Sequence, residues 1–78
     1  MEKPRRATVI VEDPGATTTV WVTDDDRVVG QTFGEQKTGR EVRFEKREHL
    51  VRRWDEARAD DIIRELLLSV DENGQLIT

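Results

Sequence analysis

Apolar and polar positions change period near residue 46, and the change divides the chain into a strand-forming half and a helix-forming half. "ATVIVE", Ala7 to Glu12, is β-branched and short and predicts a first strand. "DPGA" supplies turn chemistry, with proline setting φ and glycine accepting a positive φ. "TTTVWVT", Thr17 to Thr23, is an unbroken run of β-branched and aromatic residues and the strongest strand signal. "RVVGQTF", residues 27–33, predicts a third strand in which Gly30 marks a bulge or a close approach. "GEQKTG" reads as a loop. "REVRFE", residues 40–45, alternates cleanly, so that Val42 and Phe44 share one face of a fourth strand.

Beyond Lys46 the apolar residues fall into two helical stripes. Leu50, Val51, Trp54 and Ala57 form the first; Ile62, Ile63, Leu66, Leu67 and Val70 form the second. At about 100° per residue their mean directions differ by roughly 150°, and one straight helix would bury two opposite faces. The pattern therefore predicts two helices, over residues 46–57 and 61–71. The break is expected between Arg58 and Asp61, with Asp60 as N-cap of the second. Gly74 or Asn73 should end that helix, and "QLIT" either adds a strand or packs on the core.

The expected architecture is a single α+β domain, residues 1–78, with residues 1–6 frayed: a four-stranded antiparallel meander followed by two helices on one sheet face. Val20, Val22, Val42, Phe44 and the helical leucines are the expected core. Trp21 has the opposite parity to those valines. It is either an outward anchor for a partner or, with the valines outward, a core residue.

Composition narrows the function classes. With 35% hydrophobic and 38% charged residues, 78 residues can build only one small core. The absence of cysteine excludes disulfides and thiolate metal sites and suits a reducing cytoplasm. The apolar run near the N-terminus ends at Glu12, too short for a signal-peptide core or a membrane span. Net charge is −4, which disfavours non-specific nucleic-acid binding. Residues 40–53 carry +3, residues 55–78 carry −5 and residues 1–39 carry −2, so the acidity lies at the aspartate triplet and in the C-terminal third.

Candidate chemistry is sparse. Asp24, Asp25 and Asp26 are consecutive, whereas a calcium loop needs acids at alternate positions with a glycine and a distal glutamate; a hairpin turn is expected and no metal. His49 and Ser69 are the only histidine and serine, and Ser69 lies in the predicted second helix, which does not expose a nucleophile. His49 is expected to be a solvated helix residue. No catalytic set and no cofactor follow from these residues. The basic run "REVRFEKREHLVRR" is interleaved with Glu41, Glu45 and Glu48, and Glu48 to Arg52 has the spacing of a helical ion pair. A solvated structural face is favoured there over a nucleic-acid footprint.

The order of strand, acidic turn, strand, "TG" loop, alternating strand and "EKREHLVRRW" helix start resembles the small phage-encoded anti-CRISPR proteins, specifically those that inhibit type I surveillance complexes with a meander and two helices. Phe44, Glu48 and Leu50 match the F-x-x-x-E-x-L segment of that family's strand-to-helix junction, and Trp21 matches an aromatic in the strand before its acidic turn. The similarity spans roughly residues 17–70. It implies a non-enzymatic inhibitor that binds Cas proteins of a type I crRNA-guided effector complex, at a backbone or DNA-path subunit, in the host cytoplasm. Target DNA would be blocked without direct nucleic-acid or membrane binding. By position it implicates Trp21 and Glu35, and as a charge mimic the acidic surfaces at Asp24, Asp25, Asp26, Asp60 and Asp61. Alternative readings are an antitoxin-like or adaptor module, monomeric or homodimeric, that pairs through an edge strand or helix face, or a small nucleic-acid binder using residues 40–53.

Overall fold

A computed structural model describes residues 8–34 and 37–78. Four strands, β1 (Val9–Asp13), β2 (Ala16–Val22), β3 (Val28–Gly34) and β4 (Lys37–Arg43), pair in chain order as an antiparallel meander. Two helices follow, α1 (Arg47–Arg53) and α2 (Glu56–Glu65), and then a small hairpin of β5 (Ser69–Val70) and β6 (Leu76–Ile77). This is the expected α+β fold with one further two-stranded sheet. Glu35 and Gln36, part of the expected 34–39 loop, lie outside the described residues; Lys37 to Gly39 belong to β4.

Register fixes the two faces of the sheet. Val9 opposes Val20, Val20 opposes Gly30, and Val22 opposes Val28. Side chains alternate along a strand, so Val9, Val11, Val20 and Val28 turn to one side, where Leu50, Ala59, Ile62 and Leu66 cover them. Phe44 and Leu68 complete this core, with Val22 and Trp54 packed at its margin. Thr18, also on the inner face, is buried. Its hydroxyl is satisfied by the Thr32 hydroxyl at 2.8 Å and by the Arg53 guanidinium at 3.1 Å.

Several sequence expectations are corrected. Val42 opposes Gly30 on the inner face but lies on edge strand β4, and it is 50% exposed instead of core. The helix break falls at Trp54–Asp55, ahead of the expected 58–61 interval. Asp55 is the N-cap of α2 because its carboxylate accepts the Arg58 N–H at 2.7 Å; Asp60 lies inside the helix and bonds Arg47 instead. Ala57 thus belongs to the second helix.

That helix also ends earlier than expected. Leu67 adopts a left-handed φ of +56°, with Leu67 N–H donating to the Arg64 carbonyl at 3.1 Å and Leu68 N–H to the Ile63 carbonyl at 2.9 Å. This is a Schellman termination, with leucine where glycine is usual. Ser69 and Val70 consequently form a strand and are exposed. Gly74 is left-handed as expected, but it closes the β5–β6 hairpin, docked by Arg47 N–H on the Gly74 carbonyl and Leu76 N–H on the Glu45 carbonyl, both 2.9 Å.

Candidate partner-binding face

The helices cover one face of the sheet, and among the described residues no helix packs on the other. The alternation that buries Val20 turns Trp21 outward, where its register partner is Val29 and Val29's is Arg43. Trp21 is half-buried, and Val29, between Trp21 and Arg43, is fully buried although it lies outside the main core. Of the two orientations open for Trp21, the outward one is observed. Ile10 and Phe33 stand on this same face and are 62% and 54% exposed. The Phe33 ring lies over Gly39 and leaves no room there for a side chain, and Gly39 also takes a left-handed φ of +74°.

The aspartate triplet forms the β2–β3 turn, at the end of the strand that carries Trp21. Thr23 organises it. Its N–H donates to the Arg27 carbonyl at 2.8 Å, its carbonyl accepts Asp26 N–H at 3.0 Å and its hydroxyl accepts Arg27 N–H at 3.1 Å. The same hydroxyl donates to Asp25 at 2.5 Å, and Arg27 pairs with the other Asp25 oxygen at 3.1 Å. The Thr23 hydrogen bond, with the Arg27 charge adding to it, holds the Asp25 carboxyl below the ordinary range. Asp26 takes a φ of +61°, a conformation aspartate tolerates. All three carboxylates are exposed, and among them it is Asp25 that bonds Thr23 and Arg27 within the turn. A shallow groove of about 320 Å³ continues from Asp26 and Arg27 past Arg43 and Glu45 to Gln75.

The remaining expected contact residues are not gathered here. Asp60 and Asp61 lie on α2, in the helical layer on the opposite side of the sheet. Asp60 forms a two-pronged pair with Arg47 at 3.0 and 3.3 Å, and Asp61 pairs with Arg64 at 2.9 Å. The Arg47 bond lowers the Asp60 pKa, and Asp60 in turn raises that of Arg47. Glu35 is outside the described residues. Sequence reasoning missed Ile10 and Phe33; their parity relative to Trp21, once the register is known, is the signal that finds them.

Four of the six basic residues at 40–53 are paired within the fold. Arg43 pairs with Glu45 at 3.2 Å, Arg52 with Glu48, and Arg47 with Asp60. Arg53 bonds Thr18, approaches Asp13 at 3.9 Å and stacks 4.8 Å over the Trp54 ring. His49, expected to be a solvated residue, instead accepts the backbone N–H groups of Glu45 and Lys46 on Nδ1, both at 3.3 Å, and so caps the start of α1. Among the described residues no three His, Cys, Asp or Glu side chains group as metal ligands. None of their helices is long and apolar enough to cross a membrane. No protein-family model, no curated protein and no solved structure matches the chain.

Proposed function

We propose that this chain is a non-catalytic, protein-binding inhibitor whose open sheet face and aspartate turn engage a basic partner surface, namely the nucleic-acid path of a type I crRNA-guided complex in the host cytoplasm. One observation carries the reading: Trp21 stands on the uncovered face, on the strand that runs into the exposed carboxylates of Asp24 and Asp26. An aromatic anchor beside exposed like charges suits a partner that is basic and partly apolar. The net charge of −4 steers such an encounter. The family resemblance of the sequence supplies the identity of the partner.

The nucleic-acid alternative draws less support. Arg43, Arg47, Arg52 and Arg53 are each committed to a carboxylate in the fold, so a phosphate would have to displace an existing partner. The inhibitor reading is tested by capture of purified type I effector complexes on immobilised protein, at low and high salt. Stoichiometric, salt-sensitive retention with loss of target-DNA binding is expected. No retention at low salt overturns it, and direct binding of DNA or RNA by the chain alone would replace it with the nucleic-acid reading.

A further inference from the structure

Residues 66–70, "LLLSV", have two ways of meeting the core. In the fold the left-handed Leu67 turns the chain. This buries Leu68 and carries Ser69 and Val70 into the hairpin, where Val70 is 39% exposed. Were α2 to run on, at about 100° per residue, Ser69 and Val70 would lie within roughly 50° of the buried side of the helix, marked by Ala59, Ile62 and Leu66. Leu68 would point roughly 150° away from that side. The two registers therefore exchange Leu68 for Val70 at the core.

The hairpin is closed mainly on itself. Asp71 N–H donates to the Gln75 carbonyl and Gly74 N–H to the Asp71 carbonyl, both at 3.0 Å. The Asp71 carboxylate accepts Asn73 N–H at 2.9 Å and Gln75 N–H at 2.8 Å. Among the described residues β5 pairs with β6 alone, and the hairpin is tied outward by the two backbone bonds to Glu45 and Arg47 and by the Leu68 and Leu76 side chains. The hinge opposes these ties. A leucine at φ +56°, 79% exposed, bears the steric cost of the left-handed region with little burial to offset it. Good helix formers flank it: Arg64, Glu65, Leu66 and Leu68. Local preference and the observed fold thus disagree at one residue.

We propose that Leu67 is the hinge of a two-state element. In the second state α2 runs on through Val70, Val70 takes the place of Leu68 against the core, and the hairpin lets go of Glu45 and Arg47. The observed register is the major one because it buries Leu68 and packs Leu76 on the core, whereas the second gains Val70 alone. The second state is therefore a minor one, of order 1%. Its formation frees the Glu45 carbonyl and the Arg47 N–H, and it opens the groove beside Phe44, which Gln75 and Leu76 wall. The element is thus a built-in latch on that groove. It is independent of the inhibitor reading, which rests on the β2–β3 turn.

Chemical-exchange saturation transfer NMR on the intact protein tests it, because it reads the shifts of minor states directly. One exchange process is expected over residues 67–77, with helical Cα shifts in the minor state at Leu68, Ser69 and Val70, unpaired shifts at 71–77, and no exchange in β2 and β3. Gly74→Ala meets no neighbour within 4 Å but places a side chain at φ +80°, which burdens only the docked hairpin. It should raise the minor population about fivefold or more. Leu67→Gly relieves the docked state and weakens the extended helix, and should lower that population by about tenfold. The proposal is overturned if residues 68–77 show no exchange in either the wild type or Gly74→Ala. Random-coil shifts at 68–70 overturn it too, since they mean fraying without helix extension. So does exchange shared with β2 and β3, which is global unfolding, or a population that Leu67→Gly leaves unchanged.

Discussion

The Phe44 ring fills the space over Gly30: a Cβ at Gly30 would lie 2.8 Å from Phe44 Cε2 and 3.4 Å from the Thr19 carbonyl oxygen. Phe44 is buried and in turn meets Trp54, with ring centroids 5.9 Å apart. The glycine is thus a packing requirement of the inner face, and the ring has little freedom to retreat. Gly30→Ala should destabilise the fold by about 1–3 kcal/mol through overpacking, read as a lower urea midpoint with unchanged slope. An unchanged midpoint would show that the ring moves aside freely.

Trp54 contributes a second tie between the layers, because its indole N–H donates to the Asp13 carboxylate at 3.1 Å, joining the end of α1 to the end of β1. Trp54→Phe keeps an aromatic ring on Phe44 and removes the donor, and should cost about 1–2 kcal/mol. Combined with Asp13→Ala, the loss should fall short of the sum of the two single losses, since both remove the same bond. Strict additivity in denaturant titrations would place the effect in packing alone.

Leu67 holds a φ of +56° with its side chain 79% exposed. A leucine in the left-handed region carries a steric cost that glycine does not, and here little burial offsets it. Leu67→Gly should therefore stabilise the protein by about 0.5–1 kcal/mol, the steric relief exceeding the added backbone entropy of the unfolded chain. Differential scanning calorimetry would read it as a raised thermal midpoint; a lowered one would mean that the side chain makes a contact worth more than the strain.

These residues also show what was legible in the sequence. The meander could be read because "TTTVWVT" and "REVRFE" carry unambiguous period-two signals and "DPGA" and "TDDDR" are strong turns. The helix break was misplaced because Asp55 and Asp60 are equivalent local cap signals, and only the position of Arg47 on the neighbouring helix assigns Asp60 to an ion pair. The early end of α2 was hidden because a leucine, not a glycine, takes the left-handed position. Ser69 and Val70 then read as helix when they pair with β6. Val42 alternates like a core residue, but an edge position leaves it uncovered. Of the candidate site, the turn was legible and the company of Ile10 and Phe33 was not, because face assignment needs the register between strands.

The Arg47–Asp60 pair sets a pH dependence. The folded-state pKa of Asp60 is depressed, with the Arg47 hydrogen bond as the largest cause. The contribution of the pair is therefore fully present above the ordinary carboxylate range, about pH 4. It is lost as pH falls through the lower folded-state value. Arg47 stays charged across this window. The stability difference between the wild type and Asp60→Asn should hold steady near neutrality and narrow below about pH 4. Because Asp60 is exposed and Arg47 only half-buried, added salt should shrink it too. A difference that widens on acidification would contradict this assignment.

The unequal roles of the three aspartates separate binding from folding at the β2–β3 turn. Asp25, although exposed like Asp24 and Asp26, bonds Thr23 and Arg27 and so belongs to the turn's own structure. Replacing Asp24 and Asp26 together by asparagine removes two charges and keeps a residue that tolerates the left-handed φ at position 26. Thermal stability should hold, while association with a basic partner should slow by roughly tenfold at low salt and converge with the wild type at high salt. Asp25→Asn should show the opposite pattern, costing stability more than association. Trp21→Ala should instead act on dissociation, because an anchor is felt after encounter. If the Asp24, Asp26 double variant associates as fast as the wild type in dilute salt, the triplet serves the hairpin alone, and the open face would have to bind its partner through Trp21, Ile10 and Phe33.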